Sequence, residues 1–180
     1  MADGRYERIG RTLVRHGVIL DEYVDRISLP DGGEEDWDLI DHKGAAAVIP
    51  VLPDGRIVMV RQWRNPLERE TLEIPAGGLK ERGEPTLDAA ARELQEETGY
   101  TAGSMTRLIR FASTVAFCNE IIDIYLAEDL TPGSQHLDPD EFLNVEAHGV
   151  EELLHMIDEG VLQDGKTVAG ILAYAHRAGK

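Results

Sequence analysis

Apolar and polar residues alternate in short runs along most of the chain, a pattern typical of β-strands bounded by turns. The predicted strands are, in chain order, 12–18, 21–29, 45–52, 57–63, 104–113, 121–126 and 142–147. Pro53, Asp54 and Gly55 form a turn signal between the third and fourth of these strands. We therefore predict that those two strands pair as a hairpin.

Three stretches show a helical spacing of apolar residues instead: 86–98, 150–159 and 167–177. Pro85 stands at the start of the first stretch and Gly99 closes it, in the positions that these residues favour at helix ends. Strands interleaved with a few helices, without regular strand–helix alternation, predict an α+β fold in which a mixed sheet is flanked by helices.

The chain of 180 residues carries 34 acidic against 18 basic residues, a formal net charge of −16. A protein that binds a long polyanion needs a basic surface to displace counterions, so nucleic acid is not expected as a partner. A small phosphorylated ligand stays compatible with this charge if metal ions neutralise it locally. Most of the acidic residues are interpreted as a solvated surface.

The longest apolar run, at 45–52, is too short to cross a membrane, and no membrane association is predicted. The first eleven residues carry charges without an apolar core, so a secretory leader is not expected. Cys118 is the only cysteine, which excludes an internal disulfide and fits a reducing compartment. We therefore predict a cytoplasmic protein, and its length fits one domain with room for a short appended sub-domain.

The predicted helix at 86–98 carries three glutamates on one side. At 100° per residue its buried face is predicted to comprise Leu87, Ala90, Ala91, Leu94 and Thr98. Glu93, Glu96 and Glu97 share the adjacent arc, where like charges repel each other near the unfavourable end of the helix dipole. Carboxylates so placed attract a hard cation such as Mg²⁺. A solvated acidic face fits the same spacing, and the spacing alone leaves both interpretations open.

The stretch at 78–99 resembles the Nudix box. That motif consists of a glycine, five residues, a glutamate, seven residues and then the run Arg-Glu-aliphatic-x-Glu-Glu-x-Gly-aliphatic. The matching residues are Gly78, Glu84, Arg92, Glu93, Leu94, Glu96, Glu97 and Gly99, and the departure is Tyr100 at the last aliphatic position. Gly77 could also serve as the first glycine, with one inserted residue in the loop that follows. Most of the rest of the chain has a weaker resemblance to the family's hydrolases of ADP-ribose and nucleotide sugars.

The resemblance implies a binding site for Mg²⁺, with Mn²⁺ as a substitute. Glu93 and Glu97 would be the main ligands, and Glu96 a further or water-mediated one. A backbone carbonyl, of Ala76 or Gly77 according to the register of the box, would also reach the metal.

The implied reaction is attack of water on phosphorus, with a carboxylate accepting the proton. Glu97, Glu96 and Glu141 are the candidates for this work, and which one is the base stays open. Glu141 resembles a loop glutamate that shares the metal and base work in the ADP-ribose branch, so the resemblance makes it a candidate metal ligand too; a solvated surface acid is the alternative. Arg92 would pair with Glu84 or an acid of the box and orient the loop.

Four residues resemble substrate contacts of the same branch. Arg64 would face the diphosphate, Glu73 would contact the nucleoside or ribose, and Lys166 would lie in a loop near the site. Phe117 stands in a run that otherwise lacks the Pro-Gly pair typical of ADP-ribose hydrolases, which leaves other nucleotide sugars open.

The resemblance implies the Nudix fold and Mg²⁺-dependent hydrolysis of ADP-ribose or nucleoside diphosphate sugars to a nucleoside monophosphate and a sugar phosphate. Two alternatives stay open: a Nudix-fold module that binds such a ligand without turnover, and a hydrolase of nucleoside triphosphates or dinucleoside polyphosphates. The implied organisation is an antiparallel β extension at 1–43 that forms a homodimer, followed by the Nudix domain at 44–180.

Overall fold

The computed structural model describes residues 4–139 and 141–179, so the first three residues of the segment assessed for a leader lie outside it. The strands are β1 (Glu7–His16), β2 (Asp21–Ser28), β3 (Glu34–Asp41), β4 (Ala45–Pro50), β5 (Ile57–Arg64), β6 (Arg69–Glu73), β7 (Ala76–Gly78), β8 (Tyr100–Ala112), β9 (Ile121–Pro132) and β10 (Leu143–His148). The helices are α1 (Thr86–Thr98), α2 (Val150–Asp158) and α3 (Gly165–Ala178), with a 3₁₀ turn at Asn65–Leu67. This mixture confirms the predicted α+β class. None of the described helices is long and apolar enough to cross a membrane.

The described residues group into two compact units. The first unit contains the antiparallel sheet β1-β2-β3 together with residues 112–121, which the chain order did not associate with the N-terminal strands. Arg11 binds both carboxylate oxygens of Asp25 across β1 and β2, at 2.6 and 2.7 Å. The sequence pattern did not predict strand β3. Its first five residues are exposed on both faces of the strand, so they show no alternation of apolar and polar residues.

The second unit contains two sheets, β7-β4-β9-β8 and β10-β5-β6. Strand β4 runs parallel to β9 and antiparallel to β7, so the first of these sheets is mixed. The predicted turn forms, with an isolated antiparallel bridge between Val51 and Ile57, but the predicted pairing does not continue along β4 and β5, because these strands belong to different sheets. All six residues of β4 are buried, so its sequence carries no one-sided pattern that would have shown its neighbours.

Helix α1 has the bounds that the sequence predicted, but its buried face is rotated. Gly99 ends the helix in the left-handed conformation, with φ of 77°. Leu87 and Ala91, expected inside, are exposed, whereas Ala89 is fully buried. The described buried residues of the helix are Ala89, Ala90, Glu93, Leu94, Glu97 and Thr98. Two glutamates of the acidic arc therefore lie inside the protein.

Candidate active site

Glu93 and Glu97 project from α1 onto the backbone of the short strand β7. Their residues are 7% and 3% exposed. The backbone N–H of Ala76 donates a hydrogen bond to Oε2 of Glu97, at 3.0 Å. Because β7 is held in the sheet by β4, with Ala76 opposite Ala47, this bond fixes the Glu97 carboxylate against a rigid strand.

Gly77 is the position where the backbone approaches the carboxylate of Glu93 most closely. A Cβ at position 77 would lie 2.2 Å from both Cδ and Oε1 of Glu93, whereas a Cβ at Gly78 would meet open space. Glycine at position 77 leaves room for the carboxylate beside the strand, whereas a larger residue would displace it. Of the two glycines that could begin the box, Gly77 is therefore the one on which the position of Glu93 depends.

Burial opposes ionisation of both glutamates. Burial raises the pKa of Glu97 to about 8, and the neighbouring charge of Glu93 adds to this effect. Burial also raises the pKa of Glu93, although Arg92 acts in the opposite direction. Without a cation, both carboxylates resist ionisation. A cation bound beside them would stabilise their anionic forms and lower their pKa values.

Arg92 lies among three acids of the box. Its Nη1 donates to Oε1 of Glu93 at 2.5 Å and to Oε2 of Glu96 at 3.1 Å. Its Nη2 lies 3.6 Å from Oε1 of Glu84. Glu84 in turn accepts a hydrogen bond from the backbone N–H of Lys80, at 2.5 Å, which closes the loop that precedes α1. Arg92 thus links α1 to that loop through Glu84.

Glu73 forms a hydrogen-bonded centre beside these acids. Its residue is 1% exposed. Oε1 accepts from Nε of Arg64 at 2.7 Å and from the hydroxyl of Thr71 at 2.6 Å, and Oε2 accepts from Nη2 of Arg64 and Nζ of Lys166, both at 2.5 Å. Burial alone would raise the pKa of Glu73, but these partners outweigh it and lower the pKa to about 2. These four hydrogen bonds occupy both oxygens of the carboxylate, and the nucleoside or ribose contact of Glu73 stays a prediction.

The start of α3 is joined to β6 at the same place. Asp164 caps the helix by accepting from the backbone N–H of Thr167 at 3.0 Å, and it also accepts from Nζ of Lys166 at 2.8 Å. The Thr167 hydroxyl donates to Asp164 and accepts from the backbone N–H of Ile74, at 2.6 and 3.0 Å. This cap holds the ammonium of Lys166 next to Glu73. An Asp three residues before a Thr at a helix start is a recognisable capping signal, so this cap is readable from the local sequence.

Glu141 and Phe117 stand apart from these direct contacts. The Glu141 carboxylate accepts from the backbone N–H of Asp138 at 3.1 Å, within its own loop, and its charge contributes to raising the pKa of both Glu93 and Glu97. Phe117 belongs to the N-terminal unit, where its carbonyl accepts from the backbone N–H of Ile40 at 2.7 Å and its residue is 52% exposed.

Most of the chain matches a known protein family. The profile of the NUDIX domain matches residues 41–170. The chain belongs to the Nudix family. An ADP-ribose pyrophosphatase of Bacillus subtilis (strain 168) is 39% identical over 165 residues, which are 91% of this chain and 89% of that protein.

Two further comparisons extend this Nudix relationship. A methanol dehydrogenase activator of Bacillus methanolicus is 41% identical over 157 residues, 86% of this chain and 84% of that protein. A solved structure of an ADP compounds hydrolase superposes with a TM-score of 0.83 at 18% identity, over 96% of this chain and 93% of the other. The latter shows that the fold is the Nudix fold, and the predicted family and fold are both confirmed.

Nudix pyrophosphatases generally depend on a divalent metal ion. Among residues 4–139 and 141–179, no three His, Cys, Asp or Glu side chains lie close enough to hold a metal ion by themselves. The pair Glu93 and Glu97 nevertheless fits a hard cation, because both are oxygen donors beside the backbone of Ala76 and Gly77. Magnesium is typically bound by one or two carboxylates, with substrate phosphates and water completing the coordination.

Proposed function

We propose that this chain is a divalent-metal-dependent hydrolase of ADP-ribose or nucleoside diphosphate sugars, releasing a nucleoside monophosphate and a sugar phosphate. The proposal rests on one observation: the second compact unit contains both a pair of acidic side chains and a pair of cationic ones. Glu93 and Glu97 form the acidic part, and Arg64 and Lys166, held by Glu73, form the cationic part. The relationship to an ADP-ribose pyrophosphatase over 91% of the chain supports the same reaction.

The metal is proposed to be Mg²⁺, held by Glu93 and Glu97 with a carbonyl of Ala76 or Gly77. When bound, such an ion supplies charge neutralisation at the phosphates and lowers the pKa of the attacking water. Glu96 is half-buried and bound to Arg92, so we assign it a water-mediated contact. Gly77 leaves the space that the Glu93 carboxylate needs.

The protein side chains divide the remaining work. Arg64 uses two of its five N–H donors on Glu73, and its side chain is 40% exposed, so the other donors are available for a phosphate oxygen. Lys166 provides a second cation beside it. The water oxygen bonds to phosphorus as the bridging P–O bond breaks, and the water proton passes to a carboxylate. Glu141 is our candidate for that base, with Glu97 as the alternative.

The test is phosphate release, coupled to an added phosphatase, from ADP-ribose, ADP-glucose, GDP-mannose, UDP-glucose, dATP and diadenosine polyphosphates, with Mg²⁺ or with EDTA. We expect Mg²⁺-dependent cleavage of the sugar-linked diphosphates above the other compounds. Preferred cleavage of dATP or the polyphosphates would contradict the substrate class. Ligand-dependent thermal stabilisation without turnover of any compound would favour a binding module instead.

We further propose a homodimer that forms through the N-terminal sheet. Strand β1 exposes Ile9, Leu13 and Val14, and Tyr6 just before it is exposed as well, a concentration of apolar surface that typically marks an interface. Sedimentation equilibrium at micromolar concentration should give twice the monomer mass, and Leu13→Lys should shift the protein towards monomer. A monomeric wild-type protein would remove this part of the proposal.

The single, free Cys118 supports a cytoplasmic location.

A further inference from the structure

Arg69, the first residue of β6, lies directly opposite Arg64, the last residue of β5, in their antiparallel pair. Directly opposed residues point to the same face of a sheet, with their Cβ atoms about 5 Å apart. Thr71 and Glu73 follow Arg69 at intervals of two residues, so they occupy that face as well, and the Thr71 hydroxyl donates to Glu73 there. Arg69 therefore shares one face of the sheet with the Arg64–Glu73 pair.

The loop that precedes α3 holds the Arg69 side chain. Nη2 of Arg69 donates to Oε1 of Gln163, at 2.6 Å. The next residue, Asp164, caps α3 and accepts from Nζ of Lys166, at 2.8 Å. One short segment thus holds Arg69 and carries Lys166, which is a cation of the proposed site.

The two opposed arginines differ in how their charges are balanced. Arg64 is paired with Glu73, whereas Arg69 forms no ion pair with any of the residues that the structure describes, 4–139 and 141–179. The chain has 34 acidic residues against 18 basic ones, so a shortage of acids does not explain this. Like charges directly opposite each other in a sheet are destabilising. An anion bound beside both arginines would offset their repulsion.

The acids assigned to the metal lie within electrostatic reach of this cationic face. Hydrogen bonding to Glu73 is the main cause that raises the pKa of Arg64, and the charge of Glu97 adds to it. Burial raises the pKa of Glu97, and the charge of Lys166 acts against that rise. A diphosphate can therefore meet the acid pair and its metal at one phosphate and the arginines at the other.

We propose that Arg69 is a further substrate-binding residue, which contacts the diphosphate together with Arg64 and favours substrates with two linked phosphates over those with one. This inference rests on the proposed function, because it assumes that a nucleoside diphosphate binds with its diphosphate at Arg64. Arg69 is exposed and uses one N–H on Gln163, so its other donors are available to phosphate oxygens. Gln163 is a positioning residue, since it acts through Arg69.

The first test is the kinetics of Arg69→Gln, which keeps an amide donor for Gln163 but removes the charge. KM for the preferred substrate should rise about 10-fold with kcat retained, the effect of losing a charged hydrogen bond. Arg69→Lys keeps the charge and should recover most of the affinity. Arg177→Gln removes the same charge from an exposed position in the last turn of α3 and should change neither constant.

The second test separates substrate binding from structural support. Calorimetry with the methylene-bridged analogue of ADP-ribose in Mg²⁺ should show the same loss of affinity in Arg69→Gln. Affinity for adenosine monophosphate, which has a single phosphate, should stay at the wild-type value. The melting temperature of unliganded Arg69→Gln should equal or exceed that of wild type, because the repulsion between the arginines is gone. Gln163→Ala should raise KM less than Arg69→Gln does, and should add nothing in the double variant.

Two results would overturn this inference while the proposed function stands. One is a wild-type KM and a wild-type analogue affinity in Arg69→Gln. The other is a lowered melting temperature of that variant with equal losses for the analogue and for adenosine monophosphate, because Arg69 would then only brace β6 against the loop. If the wild-type protein neither binds nor hydrolyses any nucleoside diphosphate derivative, the proposed function itself fails, and the role of Arg69 fails with it.

Discussion

The guanidinium of Arg64 lies along the carboxylate of Glu73, with Nε to Oε1 at 2.7 Å and Nη2 to Oε2 at 2.5 Å. This two-point contact is the strongest geometry available to an Arg–carboxylate pair, because each hydrogen bond is charge-assisted. Lys166 binds the same carboxylate from α3. A buried anion therefore fixes two cations that come from elements far apart in the chain, and it does so before any substrate binds.

Replacing Glu73 by Gln should impair substrate binding more than catalysis. The amide is uncharged and has one accepting oxygen instead of two, so it cannot hold Arg64 and Lys166 as the carboxylate does. We expect KM for the preferred substrate to rise about 10-fold or more, with a smaller change in kcat, since a charged hydrogen bond contributes roughly 1.5–3 kcal/mol. Steady-state kinetics of Glu73→Gln, Lys166→Met and the double variant check this. Independent, additive effects would show that Glu73 does not act through Lys166.

Glu73 should also make stability depend on pH. Its pKa falls from an ordinary value of 4.5 to about 2 on folding, so its contribution is fully present above pH 4.5 and is lost as the pH falls towards 2. The shift corresponds to roughly 3 kcal/mol. Urea unfolding of wild type and Glu73→Gln should show the largest difference near pH 6 and a smaller one near pH 3. A difference that stays constant over this range would contradict the assignment.

The Glu97→Gln variant should lose most of its turnover while it stays folded. The amide cannot provide the anionic oxygen that a divalent ion needs, so a fall in kcat of about 100-fold or more is expected. Glu96→Gln should cost less, because Glu96 is only partly buried and contacts Arg92. Circular dichroism establishes folding, and Gln95→Ala, at an exposed position of the same helix, is the control. Near-normal rates for Glu97→Gln with Mg²⁺ would mean that the metal site is wrongly assigned.

The two neighbouring glycines provide a matched pair of variants. Gly77→Ala introduces a Cβ that would collide with the Glu93 carboxylate, whereas Gly78→Ala introduces one into open space. We expect Gly77→Ala to raise the Mg²⁺ concentration needed for half-maximal activity, because Glu93 has to move. The Gly78→Ala protein should require the same Mg²⁺ concentration as wild type. The reverse order of effects would assign the close approach to Gly78.

Local sequence was sufficient for helix α1 and for the spacing of its acids. Helical periodicity, Pro85 at the start and Gly99 at the end are all determined within a few residues, so both bounds of the helix were predicted correctly. The same stretch carries the box that identified the family. Periodicity did not, however, predict that Glu93 and Glu97 are buried, because their cover is the backbone of β7, and β7 is held there by β4.

The sequence by itself determined the family, the α+β class and the presence of an acidic cluster on one helix, because these depend on residue spacing along the chain. The tertiary structure decided which sheets β4 and β5 join, and it decided what Glu73 does. Glu73 and Lys166 are 93 residues apart, and no local pattern records that the start of α3 packs on β6. The Glu73 carboxylate accepts hydrogen bonds from Arg64, Thr71 and Lys166, because burial makes every unpaired oxygen costly.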